Sequence, residues 1–208
     1  MTRVGLLGGT FDPIHVGHLD VAIAAREALG LERILLVPSR VPPHRRVPHA
    51  SAAHRFAMAA MAAATTPGLL VSDIEMNADG PSYTASTLDR LAAAGVPVRS
   101  LFFIIGADAF RDIATWMQYP SVLDRCHFAV VSRPGSPAPA LRVALPSLVT
   151  RMIETPCGIP AEPSIFLIDA PTAAVSSTEV RRRLADRASI AGLVPDVVSA
   201  HIARHGLY

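Results

Sequence analysis

Val4-Gly5-Leu6-Leu7-Gly8-Gly9-Thr10-Phe11-Asp12-Pro13-Ile14-His15-Val16-Gly17-His18 runs from an apolar stretch through a glycine turn to two histidines three residues apart. Residues 4–7 read as a strand, and residues 19–29 have the composition and spacing of a helix that Gly30 stops. The order is therefore strand, phosphate turn, helix. Gly8 and Gly9 have no Cβ to block a ligand from the backbone, and the N-terminus of the following helix offers unpaired N–H groups and partial positive charge to an anion. If His15 and His18 both lie in the first helical turn, their imidazoles project from one face and two donors meet one anion. A metal site or a pair of solvated histidines are the alternatives. Zinc needs further ligands, and no third His or Cys stands nearby at a standard spacing.

Outward from this unit, apolar strand patterns recur at residues 4–7, 33–37, 69–74, 101–105, 128–132 and 165–168. Helical patterns cover 19–29, 52–64, 84–94, 141–153, 178–187 and 195–205. The alternation predicts an α/β fold: a single Rossmann-like domain over residues 1–208, with a doubly wound, mainly parallel sheet and helices on both faces. Such sheets bind ligands beyond the carboxyl ends of their strands. The informative polar segments, 39–49, 77–83, 106–108 and 132–139, all follow predicted strands and are expected to converge on one cleft.

Composition narrows the chemistry. Half the residues are hydrophobic, yet the longest apolar run is the nine residues 56–64, whereas a membrane span needs about 20. The N-terminus enters a strand without the pattern of a signal peptide, so a cytoplasmic protein is expected. Cys126 and Cys157 form no Cys-x-x-Cys pair and read as reduced thiols. All 19 basic side chains are arginine, which excludes lysine Schiff bases and a Walker-type phosphate loop but makes each arginine weaker evidence. A net charge of +2 and the lack of a basic, aromatic-studded stripe argue against nucleic acid as a partner. Oligomeric state depends on a surface patch that sequence does not display.

Gly8 to Leu19, GGTFDPIHVGHL, resembles the signature of the nucleotidyltransferase superfamily, whose members include pantetheine-phosphate, glycerol-phosphate and nicotinate-nucleotide adenylyltransferases. Its second signature, Ser-Ser-Thr-x-x-Arg, is matched by Ser176-Ser177-Thr178-Glu179-Val180-Arg181. The resemblance implies ATP binding by Gly8, Gly9, Thr10, Phe11, His15, His18, Gly106, Asp108, Ser176, Ser177, Thr178 and Arg181. His15, His18 and Arg181 become the catalytic residues.

Four further segments resemble the bacterial nicotinate-nucleotide adenylyltransferases. Pro42-Pro43-His44-Arg45 matches a Pro-Pro-His-Lys loop with arginine in place of lysine, a change that keeps the charge and alters phosphate geometry; a plain rigid proline turn is the alternative. In Ser82-Tyr83-Thr84, Thr84 reads alone as an N-cap, while the resemblance implies that it meets the pyridine carboxylate. Gly106-Ala107-Asp108 offers backbone access and ribose contacts, or a capping Asp108. Trp116, followed by Met117, lies in a polar stretch where the family stacks a pyridine ring, with a core tryptophan as the alternative. Together with Arg133, these motifs assign His44, Arg45, Tyr83, Thr84, Trp116, Met117 and Arg133 to nicotinate mononucleotide.

The implied reaction joins ATP and nicotinate mononucleotide to give deamido-NAD and pyrophosphate. Magnesium (Mg2+) is bound through the ATP phosphates, with no protein metal ligand assigned. Asp12 is assigned a structural role in an Asp-Pro turn, and His54, His127, His201 and His205 read as ordinary surface or core histidines. The competing readings are an adenylyltransferase for phosphopantetheine and a non-catalytic nucleotide-binding module. A dinucleotide-dependent oxidoreductase fails on its motif, because Gly8-Gly9 before His-x-x-His is not Gly-x-Gly-x-x-Gly.

Overall fold

The computed structural model describes residues 2–43, 47–154 and 158–208. His44, Arg45 and Cys157 lie outside the described residues. The described strands are β1 (Val4–Gly9), β2 (Arg33–Pro38), β3 (Leu69–Val71), β4 (Leu101–Gly106), β5 (His127–Val131), β6 (Met152–Ile153) and β7 (Ile165–Ile168). They form one sheet in the order β3-β2-β1-β4-β5-β7-β6, and every pairing is parallel.

Apolar side chains are buried on both faces, as the continuous apolar runs require. Leu7, Phe102, Ile104, Ala129 and Val131 face one core with α1 (Val16–Leu29), α2 (Ala52–Ala64), α6 (Ser177–Ala185) and α7 (Asp196–His205). Leu6, Phe103, Ile105, Phe128 and Val130 face the other, with α3 (Thr84–Ala93), α4 (Ala107–Phe110) and α5 (Leu141–Ala144). Neighbouring residues along each strand alternate between the cores, and this period of two makes the sheet the middle layer. No described helix is long and apolar enough to cross a membrane.

Two sequence expectations need correction. The helix expected over 141–153 breaks after α5: Leu145 leaves helical geometry at φ −128° and ψ 65°, and a 3-10 segment, Pro146–Arg151, leads into β6. Pro146 has no N–H for a continuing helix, and its ring disfavours the α conformation in Leu145. The strand expected over 69–74 ends at Val71, because the Ser72 hydroxyl accepts from the Ile74 amide and Asp73 turns the chain with its carbonyl toward Met76.

Other boundaries follow the sequence. Gly30 ends α1 in the left-handed conformation at φ 59°, its N–H returning to the Arg26 carbonyl. Gly206 ends α7 in the same way at φ 58°, reversing the chain so that Tyr208 meets Asp12. His54 of α2 lies with its Nδ1 3.1 Å from Nε2 of His201 on α7, next to His205. His127 is a core histidine stacked on Phe102.

Candidate active site

The strand order reverses between β1 and β4, where a crevice is expected in an open parallel sheet. β1 pairs with β2 as far as Gly9 opposite Pro38, but with β4 only as far as Leu7 opposite Ile104. Gly8 and Gly9 therefore extend beyond their β4 partner and leave one backbone edge open. The two glycines do different work. Gly8 is exposed, and a Cβ there would make only ordinary contact with Phe103 at 3.5 Å. A Cβ on Gly9 would stand 2.7 Å from the Phe11 ring. Gly9 thus also makes room for Phe11. The Phe11 ring is buried and its backbone is left-handed, with φ 50°, so it offers a ligand backbone rather than ring.

Phe11 meets His18 edge-on at 5.0 Å, and His18 stacks on His15 with centroids 3.7 Å apart. His15 is not in the first helical turn as expected. It is the extended N-cap of α1, and its N–H donates to His18 Nδ1 at 3.2 Å. An accepting Nδ1 assigns the neutral tautomer of His18 with its proton on Nε2. His15 is 3% exposed; burial, with the Arg133 charge adding to it, lowers its pKa to about 4. His15 is therefore neutral near pH 7, and the half-buried His18 is the more accessible of the two.

Gly17 provides a second close approach: a Cβ there would lie 2.9 Å from Arg133 Nη1 and 3.1 Å from the Ala173 carbonyl. Arg133 donates to the carbonyls of Gly17 and Val175, at 2.9 and 3.1 Å. These bonds tie the start of α1 to the chain entering α6. Arg133 thus joins the start of α1 to the approach to α6, with its stem near Gly106.

The Ser176–Arg181 motif docks on this turn. Ser176 caps α6 by accepting from the Glu179 amide at 3.1 Å. The Ser177 hydroxyl donates to the Pro13 carbonyl at 2.9 Å, and Arg181 donates to the Asp12 carbonyl at 2.6 Å and the Thr178 hydroxyl at 3.3 Å. The amides of Ser177 and Thr178, first in α6, have no acceptor within the helix. The Arg181-Arg182-Arg183 run divides, because Arg182 and Arg183 both bind Glu179 and pull its carboxyl down to about 2.

Asp12 does more than shape an Asp-Pro turn. Its carboxylate accepts from the amides of His49 and Ala50, at 2.8 and 3.0 Å, and from the Tyr208 hydroxyl at 2.8 Å. Burial, then the Asp12 carboxylate, raises the Tyr208 pKa and keeps that hydroxyl a donor. Arg55, only 1% exposed, donates to the carbonyls of Thr10, Ser39, Arg40 and Ala50. Sequence reasoning passed over Arg55, Gly17 and Tyr208 as site-building residues. Gly17, inside the His15–His18 interval, carried the only local signal.

Across the crevice, Gly106 is the N-cap of α4, and Asp108 lies in that helix's first turn without a side-chain capping bond. A Cβ on Gly106 would meet the Asp108 carboxylate and, at 3.0 Å, the Arg133 stem. Thr84 is the first residue of α3, with Tyr83 as its N-cap, so the plain capping alternative for Thr84 fails. Trp116 meets Phe103 edge-on at 5.7 Å, and both Trp116 and Met117 are half-buried against the second core. Among the described residues, no group of three His, Cys, Asp or Glu side chains is placed to hold a metal ion.

The chain is similar to known proteins over nearly its whole length. A family model described as cytidylyltransferase-like fits residues 6–183. A relative from Pseudomonas fluorescens, named as a probable nicotinate-nucleotide adenylyltransferase, is 42% identical, covering 99% of this chain and 97% of its own length. One of the same name from Thermus thermophilus is also 42% identical, covering 99% of both chains. The fold matches that of the Plasmodium falciparum nicotinic acid mononucleotide adenylyltransferase solved with NaAD, with a TM-score of 0.77, 17% identity and coverage of 100% and 98%. The crevice at the strand reversal, the stacked histidines and the docked serine-threonine-arginine helix thus sit on the matched fold, and the chain belongs to the cytidylyltransferase-like family and, within it, to the nicotinate-nucleotide adenylyltransferases.

Proposed function

We propose that this chain transfers the adenylyl group of ATP to nicotinate mononucleotide, forming deamido-NAD and pyrophosphate. The observation that carries the reading is the stacked pair His15 and His18 at the open end of β1, joined through Asp12 and Pro13 to the N-terminus of α6. ATP lies along this phosphate side. Gly8 and Thr10 offer backbone, His18 donates through Nε2, the Ser177 and Thr178 amides face phosphate, and Arg181 adds charge. Gly106 and Asp108 serve the nucleoside.

The acceptor's phosphate oxygen forms a bond to the α-phosphorus as the bond from that phosphorus to the bridging oxygen breaks, and pyrophosphate leaves with the electron pair. A monoester phosphate has a second pKa of ~6, so its attacking oxygen is already anionic and needs no general base. Catalysis is then alignment and stabilisation of charge. A neutral His15 suits this role, because it orients His18 without adding a buried charge. A divalent cation, Mg2+ in this reading, would be held through the ATP phosphates rather than by the described side chains, and would supply neutralisation of their charge.

On the acceptor side, Thr84 receives the pyridine carboxylate at the start of α3, while Tyr83, Trp116 and Met117 frame the ring. His44 and Arg45 belong to the same reading by sequence alone. The buried free thiol Cys126, whose pKa burial pushes up to about 12, is compatible with a cytoplasmic setting. Pyrophosphate release, measured with nicotinate mononucleotide and with phosphopantetheine, tests the proposal. Turnover with the first alone is expected, whereas turnover with phosphopantetheine alone, or ATP binding without pyrophosphate, would overturn it.

A further inference from the structure

One guanidinium joins the two segments between which the proposed transfer takes place. Arg55, buried near the start of α2, donates through Nη1 to the carbonyls of Thr10 and Ser39 at 2.7 and 2.6 Å. Its Nη2 donates to the Arg40 carbonyl at 3.1 Å and its Nε to the Ala50 carbonyl at 3.2 Å. Thr10 belongs to the turn after β1. Ser39 and Arg40 follow β2 and Ala50 precedes α2, so the same group holds both ends of the connection that contains Pro42 to Arg45. That connection is also tied to the approach to α3. Ser82 Oγ accepts from the amides of Arg40 and Val41, at 3.0 and 3.4 Å, and the Ser82 amide donates to the Val41 carbonyl at 2.8 Å.

A buried cation is unfavourable without partners. Here burial lowers the Arg55 pKa, opposed by the Asp12 charge, and all three guanidinium nitrogens are engaged. A guanidinium presents five N–H donors in a rigid plane, whereas an ammonium presents three from a single point. Four carbonyls from three separate stretches of chain therefore suit arginine. Lysine must release at least one of them and cannot hold the rest in a fixed plane.

We propose that Arg55 is a positioning residue for the reaction, fixing the segment that carries the acceptor against the turn that carries ATP and so setting the approach of the acceptor phosphate to the α-phosphorus. It touches neither substrate. The inference rests on the substrate assignments made above. Each segment keeps its own bonds without Arg55: Ser177 and Arg181 hold the turn, and Ser82 holds the acceptor segment. The Ser39 amide on the Gly9 carbonyl, at 2.9 Å, and the Asp12 carboxylate on the His49 and Ala50 amides keep the two adjacent. Binding of each substrate is thus retained, and the loss falls on alignment, where a displacement of about 1 Å costs on the order of a hundredfold in rate.

The test measures single-turnover pyrophosphate release and the KM of each substrate. Arg55→Lys is expected to lower the rate at least about tenfold, with KM for ATP and for nicotinate mononucleotide each within about threefold of wild type. Ile165→Ala removes buried packing at the amino end of β7, the end of the sheet away from the crevice, and is expected to keep the rate within about twofold, which separates positioning from lost stability. If Arg55→Lys does not fold, Arg55→Ala assayed with and without methylguanidinium carries the test, and the added cation is expected to raise the rate at least about fivefold at unchanged KM. An unchanged rate in folded Arg55→Lys, a rise in either KM that accounts for the loss, an equal fall in Ile165→Ala, no rescue of Arg55→Ala, or failure of both Arg55 variants to fold overturns the proposal. Wild-type protein that releases no pyrophosphate with nicotinate mononucleotide overturns instead the functional reading on which it rests.

Discussion

The proposed phosphate side and the proposed acceptor side of the crevice are assembled differently. The phosphate side consists of two short segments, Gly8 to His18 and Ser176 to Arg181, fixed by bonds to main-chain atoms: Arg55 on Thr10, Arg181 on Asp12, Ser177 on Pro13 and Arg133 on Gly17. The acceptor side draws single residues from several loops and joins them through side chains, Thr87 to Glu75 and Ser82 to the amides of Arg40 and Val41. Main-chain anchoring suits the common step, which needs one geometry around a triphosphate. Side-chain anchoring lets the acceptor site vary without disturbing the turn. Substitutions on the two sides should therefore fail differently, in stability and turnover on one and in acceptor KM on the other.

The largest effect on stability is expected from Arg55→Met. Four carbonyls lose their donor in a buried place, and unfolding in urea is expected to show a loss of about 3–5 kcal/mol. A loss below about 1 kcal/mol would remove the contrast in anchoring. Next is pH. His15 titrates near 4 in the folded chain against 6.5 in its ordinary state. The unfolded chain binds the proton more readily, so this contribution is present above about pH 6.5 and is lost as pH falls toward 4, by up to about 3 kcal/mol. The slope of stability against pH in that window should flatten in His15→Gln. NMR titration of His15 near 6.5 would contradict the burial argument.

On the acceptor side, Trp116→Ala is expected to raise KM for nicotinate mononucleotide by up to about tenfold, the worth of an aromatic contact, and to leave ATP nearly unaffected. Equal losses in both would make Trp116 a core residue. The smallest effect on stability belongs to Tyr208→Phe, which removes one hydroxyl from the Asp12 carboxylate and should cost about 1–2 kcal/mol in a denaturation experiment while leaving acceptor KM unchanged.

How far sequence carried the reading follows the same division. The sheet was legible because its strands are apolar on both faces, and the phosphate turn because its residues are contiguous. Helix 141–153 was misread because apolar periodicity continued across Pro146, whose missing N–H mattered more than the pattern. At Gly9 sequence shows the absence of a Cβ but not what fills the space, here Phe11. Arg55 was invisible for a compositional reason: with arginine as the only basic residue, one among 19 gave no signal, although its four carbonyl acceptors make it a principal support of the turn. Tyr208 acts across a separation of 196 residues, which local patterns do not encode.

The central claim is that the histidine pair stabilises charge at the transferring phosphate, with His18 as its accessible donor. Single-turnover pyrophosphate release by His18→Ala, with both substrates saturating and the fold checked by circular dichroism, tests it most directly. A rate at least about a hundredfold below wild type, as when one oxyanion donor is removed, is the predicted result. A folded His18→Ala protein that releases pyrophosphate at nearly the wild-type rate would contradict the claim.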